Sequence, residues 1–371
     1  MSALSYFFGH RAINDVQAIV KNRVNKTLDI LFFAGSQVDL QWIVPLYDTA
    51  IAHDLRCALA GPDLSVPPDA IYVDVSVHLL RLIKTRILVT STSGLKAKHM
   101  PISSIRRVSI PHSLISLHMA YPEHTFTGYT DVFCCGSHHV AEVEAMNRHE
   151  GISERRAVNV GYGKCTQPPN DISQTQFCNG SPRHVLIGPS WGAGNILETI
   201  GLDLVKSLLS EGYRVTLRPH PSFFLYGNEQ IAPMTSLFGA HQLFSVENSL
   251  KESIALWTAD LMISDYSGFA MEFSFLRERP VLYVDVPPKV LNKNWASLGL
   301  NPLELSVREK IGLVVPSSVK EVMAGLQRIE KMENSWMEKI RSERRHRWFN
   351  FGKFDAVGAE ELVHMLMEIN H

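Results

Sequence analysis

Long hydrophobic runs, charge of one sign and paired cysteines are what this 371-residue chain has least of. No apolar stretch approaches the roughly 20 residues that span a bilayer. The N-terminal MSALSYFFGHRAINDV has no basic segment ahead of its short apolar run, unlike a secretory signal, so a soluble, cytoplasmic protein is expected. Thirty-six Lys+Arg against 37 Asp+Glu leave a formal net charge of -1. That excludes gripping nucleic acid by bulk positive charge and leaves room for a local anion site. Five cysteines, Cys57, Cys134, Cys135, Cys165 and Cys178, contain no C-x-x-C pair. An odd, sparse set reads as free thiols in a reducing compartment, with Cys134 and Cys135 in the core.

Several signatures are missing too. No G-x-G-x-x-G follows the first strand-like run and no G-x-x-x-x-G-K-[ST] occurs, which removes nicotinamide dehydrogenases and P-loop hydrolases. D-x-D is absent, and with it a metal-clamped sugar-nucleotide site of the single-domain kind. His138 and His139 are adjacent, and neighbouring helix residues point to different faces. No metal and no cofactor are expected.

What is present is an ordinary globular composition, 45% hydrophobic and 20% charged, enough apolar surface for sizeable cores. Short β-branched and aromatic runs at 28–33, 55–59, 71–75, 86–90, 105–110 and 131–135 alternate with helical patterns such as 37–52 and 137–149. Near-continuous apolar strands of this kind suit parallel sheets covered on both faces. The pattern stops in the Pro-, Gly- and Asn-rich 161–183 and restarts with strands at 184–188, 213–217, 241–245, 260–263 and 280–284. The expected fold class is α/β, two Rossmann-like domains with parallel sheets facing across a cleft. The expected division is 1–164, a linker at 165–183, and 184–352, with a C-terminal helix 353–371 returning to the first domain.

Candidate site residues lie where strands end. Gly188-Pro189-Ser190-Trp191-Gly192 fits G-x-S-x-G, but a linker directly before it disfavours a hydrolase elbow; it reads as a cleft-lining loop that places Ser190. Arg218-Pro219-His220-Pro221 follows a strand, and the prolines hold Arg218 and His220 at the sheet edge as an anion-binding, proton-handling pair. In Ser264-Asp265-Tyr266-Ser267-Gly268 a strand gives way to a helix that Ser267 can cap. Its first turn attracts phosphate, Ser264 and Ser267 add hydroxyls, and Glu272 one turn on can accept from ribose. His112, after strand 105–110, approaches the same cleft from the other domain. The basic run 338–348 reads first as a solvated helix face, and second as contact with an anionic membrane inner face or polyanion.

Taken in order, these segments resemble the CDP-glycerol glycerophosphotransferases of teichoic-acid and capsule polymer synthesis. The likeness runs through Asp131–Val143, Gly161-Tyr162-Gly163, Gly188–Trp191, Arg218–Pro221, Ser264–Phe273 with Arg279–Tyr283, and Asp355–Glu361. The resemblance implies a GT-B enzyme that moves a polyol phosphate from a CDP-polyol donor to a hydroxyl of a glycan or polyol-phosphate acceptor, releasing CMP. It implies His112 as general base and His220 at the pyrophosphate. Arg218, Ser190, Ser264, Asp265, Ser267, Gly268 and Glu272 are then the donor site. Where that family has His-Gly and a later Lys, this chain has His112-Ser113 and no Lys. The same motifs overlap GT-B glycosyltransferases and UDP-sugar 2-epimerases, the alternative reading.

Overall fold

The computed structural model describes residues 27–168, 183–223, 229–247 and 253–370. Two parallel sheets organise them. The first has seven strands in the order β3-β2-β1-β4-β5-β6-β7: β1 Leu28–Phe33, β2 Cys57–Gly61, β3 Tyr72–Asp74, β4 Thr85–Thr90, β5 Arg106–Ser109, β6 Asp131–Cys134 and β7 Arg156–Asn159. The second has six in the order β10-β9-β8-β11-β12-β13: β8 His184–Gly188, β9 Arg214–Leu217, β10 Phe244–Val246, β11 Leu261–Ser264, β12 Val281–Asp285 and β13 Gly312–Pro316. Every strand pair is parallel, for example Ile30 beside Ile87 and Met262 beside Leu186. The central strands are buried on both faces, which is why they read as unbroken apolar runs rather than as alternation.

Each strand order reverses once, at β1/β4 in the first sheet and β8/β11 in the second. Crevices at such reversals, outside the carboxyl ends of the strands, are where α/β sheets bind ligands. The loops after β1 and β4 in one domain, and after β8 and β11 in the other, occupy those places.

Most of the expected linker, 169–182, lies outside the described residues, as does Cys178. The Phe354–Asn370 helix packs on the first sheet, where Leu362, Met365 and Leu366 share a core with Ile30, Phe32 and Leu46. Cys57, Cys134 and Cys135 are buried free thiols, whereas Cys165 is exposed. Three elements differ from the sequence expectation, which held no strand where β13 lies. Strand β7 is half-exposed at the sheet edge and carries no apolar run. The helix after β8, which the sequence predicts over 195–210, begins as a π-turn, Leu197–Gly201, before the α-helix Leu202–Ser210. Among the described residues no helix is long and apolar enough to cross a membrane.

Candidate functional site: two histidine-bearing walls

On the first wall, β5 ends at Ser109 and the chain turns through Pro111 to His112. His112 is half-buried. Its Nδ1 lies 3.3 Å from the Ser91 carbonyl, which can only accept, so Nδ1 carries the proton of the neutral ring and Nε2 the lone pair, with the Tyr121 hydroxyl 3.5 Å away. Burial holds the imidazole below its ordinary pKa, with Asp39 and the Ser91 carbonyl pulling the other way. Asp39 follows β1 and accepts from the Gly35 and Ser36 N–H groups at 3.0 and 3.1 Å and from the Thr92 hydroxyl at 2.9 Å. A hydroxyl-rich hollow lined by Ser91, Thr92, Ser93, Tyr121 and Thr125 adjoins His112.

The second wall carries His220, also half-buried, stacked on Trp191 with ring centroids 5.9 Å apart at 29°. Its Nδ1 accepts from the Ser222 N–H at 3.2 Å; the neutral ring therefore holds its proton on Nε2 and presents a donor. Burial, Lys289 and the facing His112 push its pKa down to about 3. The two cleft imidazoles are thus neutral and of opposite tautomer, one offering a lone pair and the other an N–H.

The strand–helix junction after β11 is built mostly from backbone bonds. Ser264 is fully buried and donates to the Gly188 carbonyl at 2.5 Å. Asp265, also fully buried, accepts from the N–H groups of Ser190 and Tyr266 at 2.7 Å and of Ile196 at 3.1 Å. Burial raises its pKa against those donors. These two residues lock the β8 loop to β11. The Ser267 hydroxyl caps the Gly268–Arg277 helix by accepting from the Phe269 N–H at 3.3 Å. Arg218 is buried and paired with Glu247 at 3.2 Å, its guanidinium 5.3 Å from the Phe269 ring.

The walls touch. A Cβ added at Gly268 would lie 2.1 Å from Ser113 Oγ, so the close approach that this glycine permits is to the His112 loop. Glu272, expected at a ribose, accepts from the Tyr162 hydroxyl at 2.6 Å and pairs with Lys164 at 3.2 Å, both from the chain after β7. Behind His112, the Ser116 N–H and hydroxyl donate to Glu304 of the second domain at 2.9 and 2.7 Å. His138 and His139 both turn toward this same loop, at 2.9 Å from the Leu114 and Ile115 carbonyls; packing against one irregular segment brings together two rings that helical spacing would separate. Among the described residues no cluster could hold a metal.

The basic 338–348 run is largely engaged with neighbouring carboxylates: Arg341 and Arg344 with Glu278, Arg347 with Glu343 and Arg345 with Glu338. Asp39, Trp191, Lys289 and Glu304 join the site without having been singled out in the sequence. Only Asp39 left a local sign, three residues after Ser36 in a capping box.

Solved structures superpose on most of the chain. The S. aureus MnaA–UDP co-structure matches with a TM-score of 0.65 at 12% identity, covering 93% of this chain and 97% of that one. UDP-GlcNAc 2-epimerase from Neisseria meningitidis bound to UDP-GlcNAc matches with a TM-score of 0.62 at 10% identity, covering 91% and 100%. The glycosyltransferase of kitacinnamycin matches with a TM-score of 0.57 at 10% identity, covering 92% and 99%. The fold is GT-B.

No family model and no curated protein matches the sequence. The resemblance to CDP-glycerol glycerophosphotransferases, with its CDP-polyol donor, polyol-phosphate acceptor and teichoic-acid or capsule product, is corrected by these findings. The GT-B structures that fit the chain are described with UDP and UDP-GlcNAc, or as glycosyltransferases. The physical reason lies in the motifs. Ser264 bonds the Gly188 carbonyl, Asp265 the β8 loop and Arg218 the Glu247 carboxylate, so part of what these stretches encode is how the second domain joins its strands.

Proposed function

We propose that the chain is a GT-B glycosyltransferase that uses a UDP-sugar held between its domains. The observation that carries this reading is the pair of cleft histidines fixed in opposite tautomers, Nδ1 of His112 at the Ser91 carbonyl and Nδ1 of His220 at the Ser222 N–H. A lone pair on one wall and an N–H on the other suit displacement at a sugar carbon. His112 Nε2 takes the proton of an acceptor hydroxyl, and that oxygen bonds to C1 of the donor sugar. The C1–O bond to the β-phosphate breaks, and the departing UDP is met by His220 Nε2–H and the N-terminus of the Gly268–Arg277 helix.

UDP-sugar 2-epimerisation is the second reading, favoured by the superposition on UDP-GlcNAc 2-epimerases over nearly the whole chain. Proton NMR of UDP-GlcNAc with the protein alone separates the two. A new 2-epimer without acceptor identifies the epimerase. An unchanged sugar nucleotide that releases UDP only when a glycan acceptor is added identifies the transferase. No UDP binding by calorimetry sinks both.

A further inference from the structure

Lys289 sits on the loop after β12 and belongs to no motif recognised in the sequence. Its aliphatic stem lies over Gly192, where an added Cβ would meet Lys289 Cδ at 3.6 Å. Its ammonium lies 2.8 Å from the centre of the Trp191 ring, whose stacking partner is His220. Lysine, indole and imidazole thus form one layered set drawn from the loops after β12, β8 and β9. The loop is anchored to the opposite domain, since the Leu291 and Asn292 N–H groups donate to the Met119 carbonyl at 3.0 and 3.2 Å. The Asn292 side chain donates to the His118 carbonyl at 3.0 Å. Among the described residues no carboxylate forms an ion pair with Lys289. The titratable neighbours facing it are cationic or neutral: His220, with His112 beyond it.

Among the described residues, a half-buried ammonium set against an aromatic face, next to an imidazole N–H and with no carboxylate paired to it, is a cation set without its anion. We infer that Lys289 is a ligand of the donor diphosphate, leaving the Trp191 face to bridge phosphate oxygens together with His220 Nε2–H. This inference rests on the UDP-sugar reading, and it supplies the mobile cation that Arg218, tied to Glu247, does not. Burial pushes the Lys289 pKa down to about 7, so the free protein holds this site with little charge above neutral pH and must take up a proton as phosphate arrives.

The test is calorimetry with UDP, uridine and inorganic pyrophosphate at pH 6.5 and 8.0, in buffers of different ionisation enthalpy, on wild type, Lys289→Met and Lys289→Arg. Lys289→Met should weaken UDP and pyrophosphate about tenfold or more, the usual worth of a hydrogen bond to a charged group, and leave uridine unchanged. Wild type should take up a proton with UDP at pH 8.0, and Lys289→Arg, charged throughout, should not. Equal UDP affinity in wild type and Lys289→Met overturns the inference, as does the same proton uptake in Lys289→Arg as in wild type. Pyrophosphate binding that Lys289→Met abolishes, without any UDP preference over pyrophosphate, sustains the anion site and refutes the uridine reading. Failure of both UDP and pyrophosphate to bind wild type overturns both.

Discussion

His112 and His220 are each held by a backbone group of fixed character, and that difference predicts two different defects. His112→Ala should lower turnover about 10²–10⁴-fold, the range of lost general-base help, with UDP affinity nearly unchanged. His220→Ala should weaken UDP binding as well as turnover. Steady-state kinetics beside calorimetry reads the split, and equal effects of both variants on UDP affinity would contradict the assignment. The pH dependence follows from His112 being a base only when neutral. Burial lowers its pKa below 6.5, so the acid limb of kcat/KM should lie below 6.5, Lys289, at about 7, should set a decline on the alkaline side, and His220, at about 3, should add no step between pH 5 and 8. At this scale residue type and strand-end position were legible in the sequence, enough to single out both histidines. Partners were not legible: Glu247 beside Arg218, and Tyr162 and Lys164 beside Glu272, come from distant segments of the chain.

The junction of β11 with its following helix shows what an element does for the site. Asp265 gathers three backbone N–H groups, from Ser190, Ile196 and Tyr266, and so fixes the loop that carries Trp191. Asp265→Ala strands those buried donors, and a loss of about 2–4 kcal/mol is expected, read by urea unfolding. Ser267→Ala removes only a helix cap and should cost about 1 kcal/mol. If Asp265→Ala proves no costlier than Ser267→Ala, the loop is held by something else. Central strands were legible because burial on both faces writes an uninterrupted apolar run. Strand β7 was not, because an edge strand with Arg156 and Asn159 at its ends needs little apolar surface. The π-turn at 197–201 was also hidden, since its apolar spacing is compatible with an ordinary helix.

The two domains meet through polar groups that lie far apart in sequence. Glu304 is buried and accepts both the N–H and the hydroxyl of Ser116, on the loop that carries His112. Glu304→Ala should cost about 2–3 kcal/mol by orphaning those donors, whereas Glu304→Gln keeps an acceptor and should cost less. Burial raises the Glu304 pKa above the ordinary glutamate value despite the Ser116 bonds. The folded state therefore binds this proton more tightly than the unfolded chain does. Its contribution to stability is full below the unfolded pKa, near 4.5, and declines as pH rises toward the higher folded value. Relative to Glu304→Gln, wild-type stability should fall as pH is raised from 4.5, and a parallel pH profile for the two proteins would refute this assignment.

By itself the sequence determined two parallel α/β units and the strand ends where chemistry gathers, because burial periodicity, capping and proline geometry are local properties of the chain. It also overreached, turning strand-joining motifs into a CDP-polyol donor site. Only the tertiary structure decided which polar groups are consumed in holding loops and which remain for a ligand. Glu304 on Ser116, Glu272 on Tyr162, Arg218 on Glu247 and Lys289 on Trp191 are pairings across loops of separate strands, and no spacing along the chain encodes them.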